Sequence, residues 1–346
     1  MDIYEVQLLS TGPLTQLPDS QKLFGALVYM YSEKYGDTSA SILTKSLLNK
    51  DIYFSLSNLM PKGYIPTPLD YIIDCIASQP SKDQSDKDKN LKKKRKALKK
   101  RNYILTSKLK ELLNDLTFGK QSDIENIFPY INLDPKQQLR ASIESSFYDI
   151  PVLDSKLYSV PTINISEVSL MQKEKSTENK EQKSTVNKFC FYLRIDNSEI
   201  CTNLLNMIQE AVRRSAAVIL GKRASQGLNT FKFQDISRQN MHYESVKHFI
   251  NTGMLLPENI DYTASTLKLF TSERRPFNIP GGWDSNFTRY YISFIAEGSI
   301  ITASLGANNT GKSIPSPFNP QRDIVFGNAF LYPLPIQKRQ VQICKK

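Results

Sequence analysis

A strand, a helix and a second strand follow one another near the start of the chain and again past its middle. No other feature restricts the fold as much. In the second half "KFCFYLRID" (188–196) alternates as a strand does, and "SEICTNLLNMIQEAVRRSAAVIL" (198–220) follows as a helix. Ser198 is placed as its N-cap, Ile200, Leu204, Leu205, Ile208, Ala211 and Val212 form one apolar stripe, and Glu210 and Arg214 make an i,i+4 pair. The loop "GKRASQG" (221–227) then leads into the strand "LNTFKFQDI" (228–236).

The first half opens in the same way. Tyr4, Val6 and Leu8 alternate with Glu5 and Gln7, "STGPL" breaks the pattern, and a helix follows. Asp19 or Ser20 can cap it, Leu23, Phe24, Leu27 and Tyr31 form its apolar face, and Gly36 ends it. "DIYFSLSNLMPKGYIPTPLDYI" (51–72) reads as a strand running into a loop at Pro61, Pro66 and Pro68. Further strands are expected around "STLKLF", "RYYISFIAEGSIIT" and "IVFGNAFLY". The pattern predicts an α+β protein with two domains of ferredoxin-like type. A length of 346 residues with 40% hydrophobic content is enough for two cores.

Charge is distributed unevenly. The net charge is +11, but residues 87–101, "KDKNLKKKRKALKKR", hold ten Lys or Arg against one Asp. The rest of the chain is therefore close to neutral. This run has two readings, a solvated surface segment or a non-specific contact to phosphate backbone. Residues 79–90, low in complexity, read as the linker that leads into it. A second polar stretch, "QKEKSTENKEQKSTVNK" (172–188), lacks the apolar groups to form core, so it is a disordered loop or the tip of a projecting hairpin. The N-terminus has neither the basic nor the apolar region of a signal peptide, and no window is apolar enough to span a membrane. Cys75, Cys190, Cys201 and Cys344 are scattered and read as reduced thiols of a cytoplasmic protein.

Two glycine loops compete for the role of phosphate binder. Gly306, Gly311, Lys312 and Ser313 spell the G-x-x-x-x-G-K-S pattern of nucleotide hydrolases. That pattern works only where a strand turns directly into a helix, and Pro315, Pro317 and Pro320 forbid the helix. The other loop, with Gly221, Lys222, Arg223, Ser225 and Gly227, combines tight turns, two cations and a hydroxyl, the composition of a backbone anion nest. The only histidines, His242 and His248, are six residues apart and do not share a helix face, and no metal or triad motif accompanies them.

Several segments, in order, resemble the RAMP superfamily of CRISPR proteins, most closely the fourth subunit of the type III-A Csm complex. These are "GPL" followed by "KLFGALVYMYSEKYG", then "FSLSNLMPKGYIPTP", "KKRNYILTSKLKELL", "GKRASQGLNTFKF", "STLKLFTSE", "GGW", "AEGSII" and "FGNAFLYPLP". Ala224 and Asn229 stand where that family usually has glycine, and "SVPTINISEVS" lacks the two arginines of its central segment. The resemblance implies two ferredoxin-like (RRM-like) domains with insertions. Residues 1–153 would form the first, with a basic linker or insertion at 79–101. Residues 154–188 would form a thumb-like or disordered insertion, and 189–340 the second domain, with its glycine-rich loop at 221–227.

The resemblance also implies a non-catalytic RNA-binding subunit without cofactor or metal. Such a subunit holds the 5′ handle of crRNA and docks the large signature subunit beside a neighbouring filament RAMP subunit. Gly221, Lys222, Arg223, Ser225 and Gly227 would cradle handle phosphates. The N-terminus of the first helix, Ser20, Gln21 and Lys22, would offer a second anion site. The alternative within the superfamily is an endoribonuclease that processes CRISPR repeat RNA, which needs a general acid or base such as His242 in the RNA cleft.

Overall fold

The structure is a computed structural model and describes residues 1–78, 84–118, 124–143, 155–171, 180–244, 246–274, 290–303 and 305–334. The first part of the chain forms β1 (Asp2–Ser10), α1 (Ser20–Tyr35), α2 (Asp37–Asn49), β2 (Phe54–Leu56), β3 (Met60–Pro61), β4 (Tyr64–Pro66) and α3 (Leu69–Ala77). Next come α4 (Gln84–Lys100), β5 (Tyr103–Leu105), α5 (Thr106–Thr117), β6 (Tyr130–Ile143), β7 (Ser155–Met171) and β8 (Lys180–Thr185). The later part contains β9 (Lys188–Ile195), α6 (Glu199–Arg213), β10 (Ala217–Ile219), β11 (Thr230–Arg238), β12 (His248–Asn251), β13 (Leu269–Arg274), β14 (Tyr290–Ile295) and β15 (Ile300–Thr302). Three short strands close the described chain: β16 (Ile314–Pro315), β17 (Ile324–Val325) and β18 (Leu331–Pro333).

The α+β class and the ferredoxin-like strand order are as expected, but that order is completed across the two halves. The central sheet runs β10-β11-β1-β9-β2, with β3 also on β9. Among its strand–helix units, β1, α1 and β2 supply the first strand, first helix and second strand. The third strand, second helix and fourth strand are β9, α6 and β11. The order fourth, first, third, second is that of a single βαββαβ sheet. β1 lies antiparallel between β9 and β11, with Val6 opposite Phe191 and Ile236. The expected division at 153 and 189 therefore separates stretches of chain and not sheets. Each half has the helical stripe and the strands of a unit, but a strand's own alternation does not name its partner.

Helices α1 and α6 cover one face of this sheet. The Asp19 side chain caps α1 and Ser198 caps α6, both as expected. Lys34 and Glu210 pair between the helices at 2.5 Å. Leu23, Phe24, Leu27, Leu204 and Ile208 join Val6, Leu8, Phe191 and Phe231 in one buried cluster. β9 is buried from Phe189 to Ile195 because a second layer covers the other face, where Tyr192 stacks on Phe330 at 5.2 Å between centroids. That layer contains the sheet β15-β12-β18, and it is tied to β2 by backbone bonds from Leu56 to Asn328 and from Phe330 to Leu56.

The middle of the chain forms its own five-stranded sheet, β4-β5-β6-β7-β8. Its main feature is a ribbon in which β6 and β7 pair continuously from Tyr130↔Val168 to Ile143↔Ser155. β8 pairs back on β7, so the described part of the 154–188 insertion is strand, as a hairpin requires. Of the polar stretch 172–188 expected as a disordered loop or hairpin tip, residues 172–179 lie outside the described residues, as do 79–83 and the "GGW" segment. The linker expected at 79–90 is helix from residue 84 onward. α4 holds because Leu98 is buried and Leu91 and Ala97 pack on the main core. At its end the Arg101 guanidinium donates to the carbonyls of Ala97, Glu125 and Ile127.

Candidate nucleic-acid interface

The turn "GPL" at the end of β1 and the loop after β10 are built as one piece. Thr11 N–H donates to Thr230 O at 2.9 Å, and Asn229 N–H donates to Pro13 O at 3.0 Å. The Asn229 side chain completes the joint. Its Oδ1 accepts from Thr15 N at 2.9 Å and from Thr15 Oγ1 at 3.1 Å, and its Nδ2 donates to Lys222 O at 2.9 Å. Asn229 is fully buried with φ 58°, a left-handed conformation that asparagine tolerates better than other side chains. It therefore supplies the backbone geometry for which the family resemblance led one to expect glycine, and adds hydrogen bonds that glycine could not.

Two glycines fit this joint by their lack of a side chain. A Cβ on Gly12 would lie 2.2 Å from Gly227 O, and one on Gly221 would lie 2.8 Å from Asn229 Nδ2. The loop that begins at Gly221 is exposed as far as Gly227. Arg223 (φ 66°) and Gly227 (φ 72°) are left-handed and flank a single turn, Ala224–Gln226. Gln226 and Gly227 use their N–H groups on Arg223 O and Ala224 O. Among the described residues, no acceptor is bonded to the amides of Lys222, Arg223, Ala224 and Ser225. Four successive free amides around a left-handed residue are the elements of an anion nest, with two cations beside them.

The β6–β7 ribbon rises beside this loop. Arg140 on β6 donates to Gln226 Oε1 at 2.9 Å, and Arg223 lies over the Tyr158 ring at 5.7 Å. At the base of the ribbon, Ile163 N–H donates to Leu14 O at 2.8 Å. Between the ribbon, the Gly12 turn and the end of β8 runs a groove of about 960 Å³, lined in part by Gly12, Asn132, Lys136, Asn164, Lys183 and Asn187. Asp134 also faces it, so its walls are mixed in charge and rich in amides and hydroxyls. Gly12 both lines the groove and packs on Gly227, which puts the nest at the groove's edge.

Of the expected site residues, the structure brings Gly221, Lys222, Arg223, Ser225 and Gly227 together at this edge. It does not bring Ser20, Gln21 and Lys22 there, and the backbone donors of Ser20 and Lys22 are already bonded within the chain. Ser20 N–H donates to Asn58 Oδ1 at 2.8 Å, Lys22 N–H to Asp19 Oδ1 at 2.9 Å, and Leu23 N–H to Asp19 O at 3.1 Å. Lys22 Nζ is paired with Asp19 at 2.7 Å, and Ser20 is buried with its hydroxyl accepting from Met254 N–H. A carboxylate already occupies the position an anion would take. Sequence reading missed Arg140, Tyr158, Lys136 and Lys183. They reach the site only through the pairing of β7 with β6 and β8, and no local motif marks them.

The Gly306–Ser313 loop is not a phosphate site, as its prolines foretell. After Gly306 (φ 83°) comes a short turn, Ala307–Asn309, and Ser313 leads into β16 instead of a helix. Gly311 pairs with Pro257, and Ser313 Oγ accepts from Gly327 N–H. His248 is buried in β12 with its Nδ1 3.1 Å from Thr302 Oγ1, and burial holds its pKa below the usual value. Neither His248 nor the exposed His242 lines the groove. No described helix is long and apolar enough to cross a membrane.

No family model matches the chain, and no curated protein matches it. Solved structures do. A chain of a Csm1–Csm4 cassette in complex with pppApA is 15% identical, with a TM-score of 0.52, and the match covers 98% of this chain and 100% of that one. A chain of a Csm1–Csm4 cassette in complex with cA4 is 16% identical, with coverages of 97% and 98% and a TM-score of 0.51. A chain of a Csm3–Csm4 subcomplex of the type III-A CRISPR-Cas interference complex is 15% identical, with coverages of 96% and 99% and a TM-score of 0.50. The chain thus shares its fold with a subunit of these type III-A CRISPR assemblies. Csm4 is the component that the cassette and the subcomplex share, and this chain has a Csm4-like fold over nearly its whole length.

Proposed function

We propose that this chain is a non-catalytic RNA-binding subunit of a type III-A CRISPR effector complex, and that it holds the 5′ handle of crRNA. The observation that carries the reading is the nest at Lys222–Ser225, with its four free amides, exposed beside a polar groove. Backbone phosphates fit the amides, with Lys222 and Arg223 as counter-charges. Single-stranded RNA is read through splayed bases and backbone shape, and the amides and hydroxyls of the groove offer partners to base edges and 2′-hydroxyls. The Tyr158 ring beside Arg223 adds a stacking surface.

The Csm4-like fold suggests the partners: a large subunit of the Csm1 kind and a filament subunit of the Csm3 kind, as in the cassette and the subcomplex. The chain's place is cytoplasmic on this reading. The test uses Lys222→Glu/Arg223→Glu and repeat-derived handle RNA. Removing two phosphate contacts should lower the salt slope of log K by ~1.4 for a single strand. An unchanged slope sinks the assignment. Metal-independent cleavage of repeat RNA that is lost in His242→Ala would replace it with a processing endoribonuclease.

A further inference from the structure

The basic run that the groove does not use forms a second surface. α4 turns Leu91 and Leu98 inward and sets Lys89, Lys92, Lys96, Lys99 and Lys100 outward, all of them exposed. At 100° per residue, the exposed cations of this helix fill an arc of about 160° over a length of about 17 Å. Among the described residues, its only ion pair is Lys93 with Glu125 at 3.0 Å. Like charges at i,i+3 and i,i+4 repel, each pair costing the helix about 0.2–0.5 kcal/mol. The arrangement therefore works against its own stability, and a bound polyanion relieves it.

This surface is separate from the groove. Arg95, Lys99 and Lys268 line a second cavity of about 370 Å³ under α4, with Asp70 and Leu133 also in its wall. Leu133 is on β6, and its neighbours Asn132 and Asp134 line the groove. Successive residues of a strand point to opposite faces, so the cavity and the groove lie on opposite sides of the β6 strand.

We infer that the outward face of α4, continued by Lys268 across the cavity, binds the phosphate backbone of a nucleic-acid strand at a site distinct from the handle groove. The composition of the face selects this partner. Protein interfaces are depleted in lysine and enriched in aromatic residues, whereas this face is mostly lysine and shows no aromatic ring. A membrane-surface helix needs apolar side chains facing out, and those of α4 face in. Lysine acts as a point charge toward phosphate without regard to sequence, so binding is non-specific and salt-dependent.

The test measures fluorescence anisotropy of labelled oligo(U), about twenty nucleotides long, with the full chain from about 50 to 200 mM NaCl. The variant is Lys92→Gln/Lys96→Gln/Lys99→Gln/Lys100→Gln. If two of these four lysines engage phosphates, the salt slope falls by ~1.4 and affinity at about 100 mM salt falls about 25-fold; if all four engage, the slope falls by ~2.8 and affinity several hundred-fold. The same loss is expected in a Lys222→Glu/Arg223→Glu background, because the surfaces are separate. An unchanged slope in the α4 variant overturns this inference and leaves the groove reading standing. Intact oligo(U) binding with loss of binding to polyglutamate or to phosphatidylserine vesicles also overturns it, in favour of an acidic protein or a membrane. Should the variant not fold, lysine acetylation of the native chain decides: oligo(U) protects Lys92, Lys96 and Lys99, and equal labelling with and without RNA refutes the site.

Discussion

Replacing Asn229 by alanine should uncouple the glycine loop from the turn after β1. The side chain makes three hydrogen bonds, to Thr15 N, Thr15 Oγ1 and Lys222 O. Each net bond contributes about 0.5–1.5 kcal/mol; Lys222 is exposed, so water replaces part of that bond. Together the three amount to about 2 kcal/mol. Alanine must also hold φ 58°, which costs an ordinary L-residue about 1 kcal/mol more than asparagine. The expected loss is about 3 kcal/mol, well above the typical substitution. Asn229→Gly loses the same bonds but no left-handed strain, so it should be more stable than Asn229→Ala by about 1 kcal/mol. Urea unfolding of the three proteins measures both quantities. A loss below about 0.5 kcal/mol for alanine, the range of a neutral surface change, would refute the role of the joint. A glycine variant no more stable than the alanine variant would refute the strain assignment.

Two further outcomes follow from the same geometry. Gly12→Ala places a Cβ 2.2 Å from Gly227 O, where backbone must move, so unfolding should show a loss of about 1–3 kcal/mol and handle affinity should fall with it. His248 is held below its usual pKa of 6.5 by burial, so the unfolded chain takes up a proton that the folded chain refuses. Its contribution is present above about pH 6.5 and is lost as pH falls toward the folded value; a His248→Gln variant should show a flatter stability profile in that window, and an identical slope would exclude the imidazole as its source.

The elements that could be read from the sequence are those whose signals are local. The stripes of α1 and α6, the caps at Asp19 and Ser198, and the alternation of β1 and β9 all lie within a few residues of one another. The same holds for Gly306–Ser313, where nearby prolines exclude the helix that nucleotide chemistry needs. The loop at 221–227 was identifiable by composition, but its neighbours Arg140 and Tyr158 were not. Arg140 lies on the polar face of β6 with Asn132, Asp134 and Lys136, while Ile131, Leu133 and Leu139 are on the other face, and such an alternation does not say which loop the polar face meets. Lysine density marked 87–101 as a solvated surface segment or a phosphate contact without naming its structure, yet two leucines seven residues apart were enough to seat it as a helix.

What the sequence determined by itself was α1 and α6, the strands β1 and β9 and the composition of the loop at 221–227, because propensity, capping and glycine backbone freedom act over a few residues. What only the tertiary structure decided was which strands pair and which polar groups remain free. β1 joins β9 and β11 from the other half of the chain through bonds its own residues do not specify. The two candidate anion sites separate for the same reason. Asn58 and Asp19 use up the donors at Ser20 and Lys22, while the amides of Lys222–Ser225 stay open because Asn229 holds the loop from below. A free N–H is a property of the whole hydrogen-bond network, and that network exists only once the chain has folded.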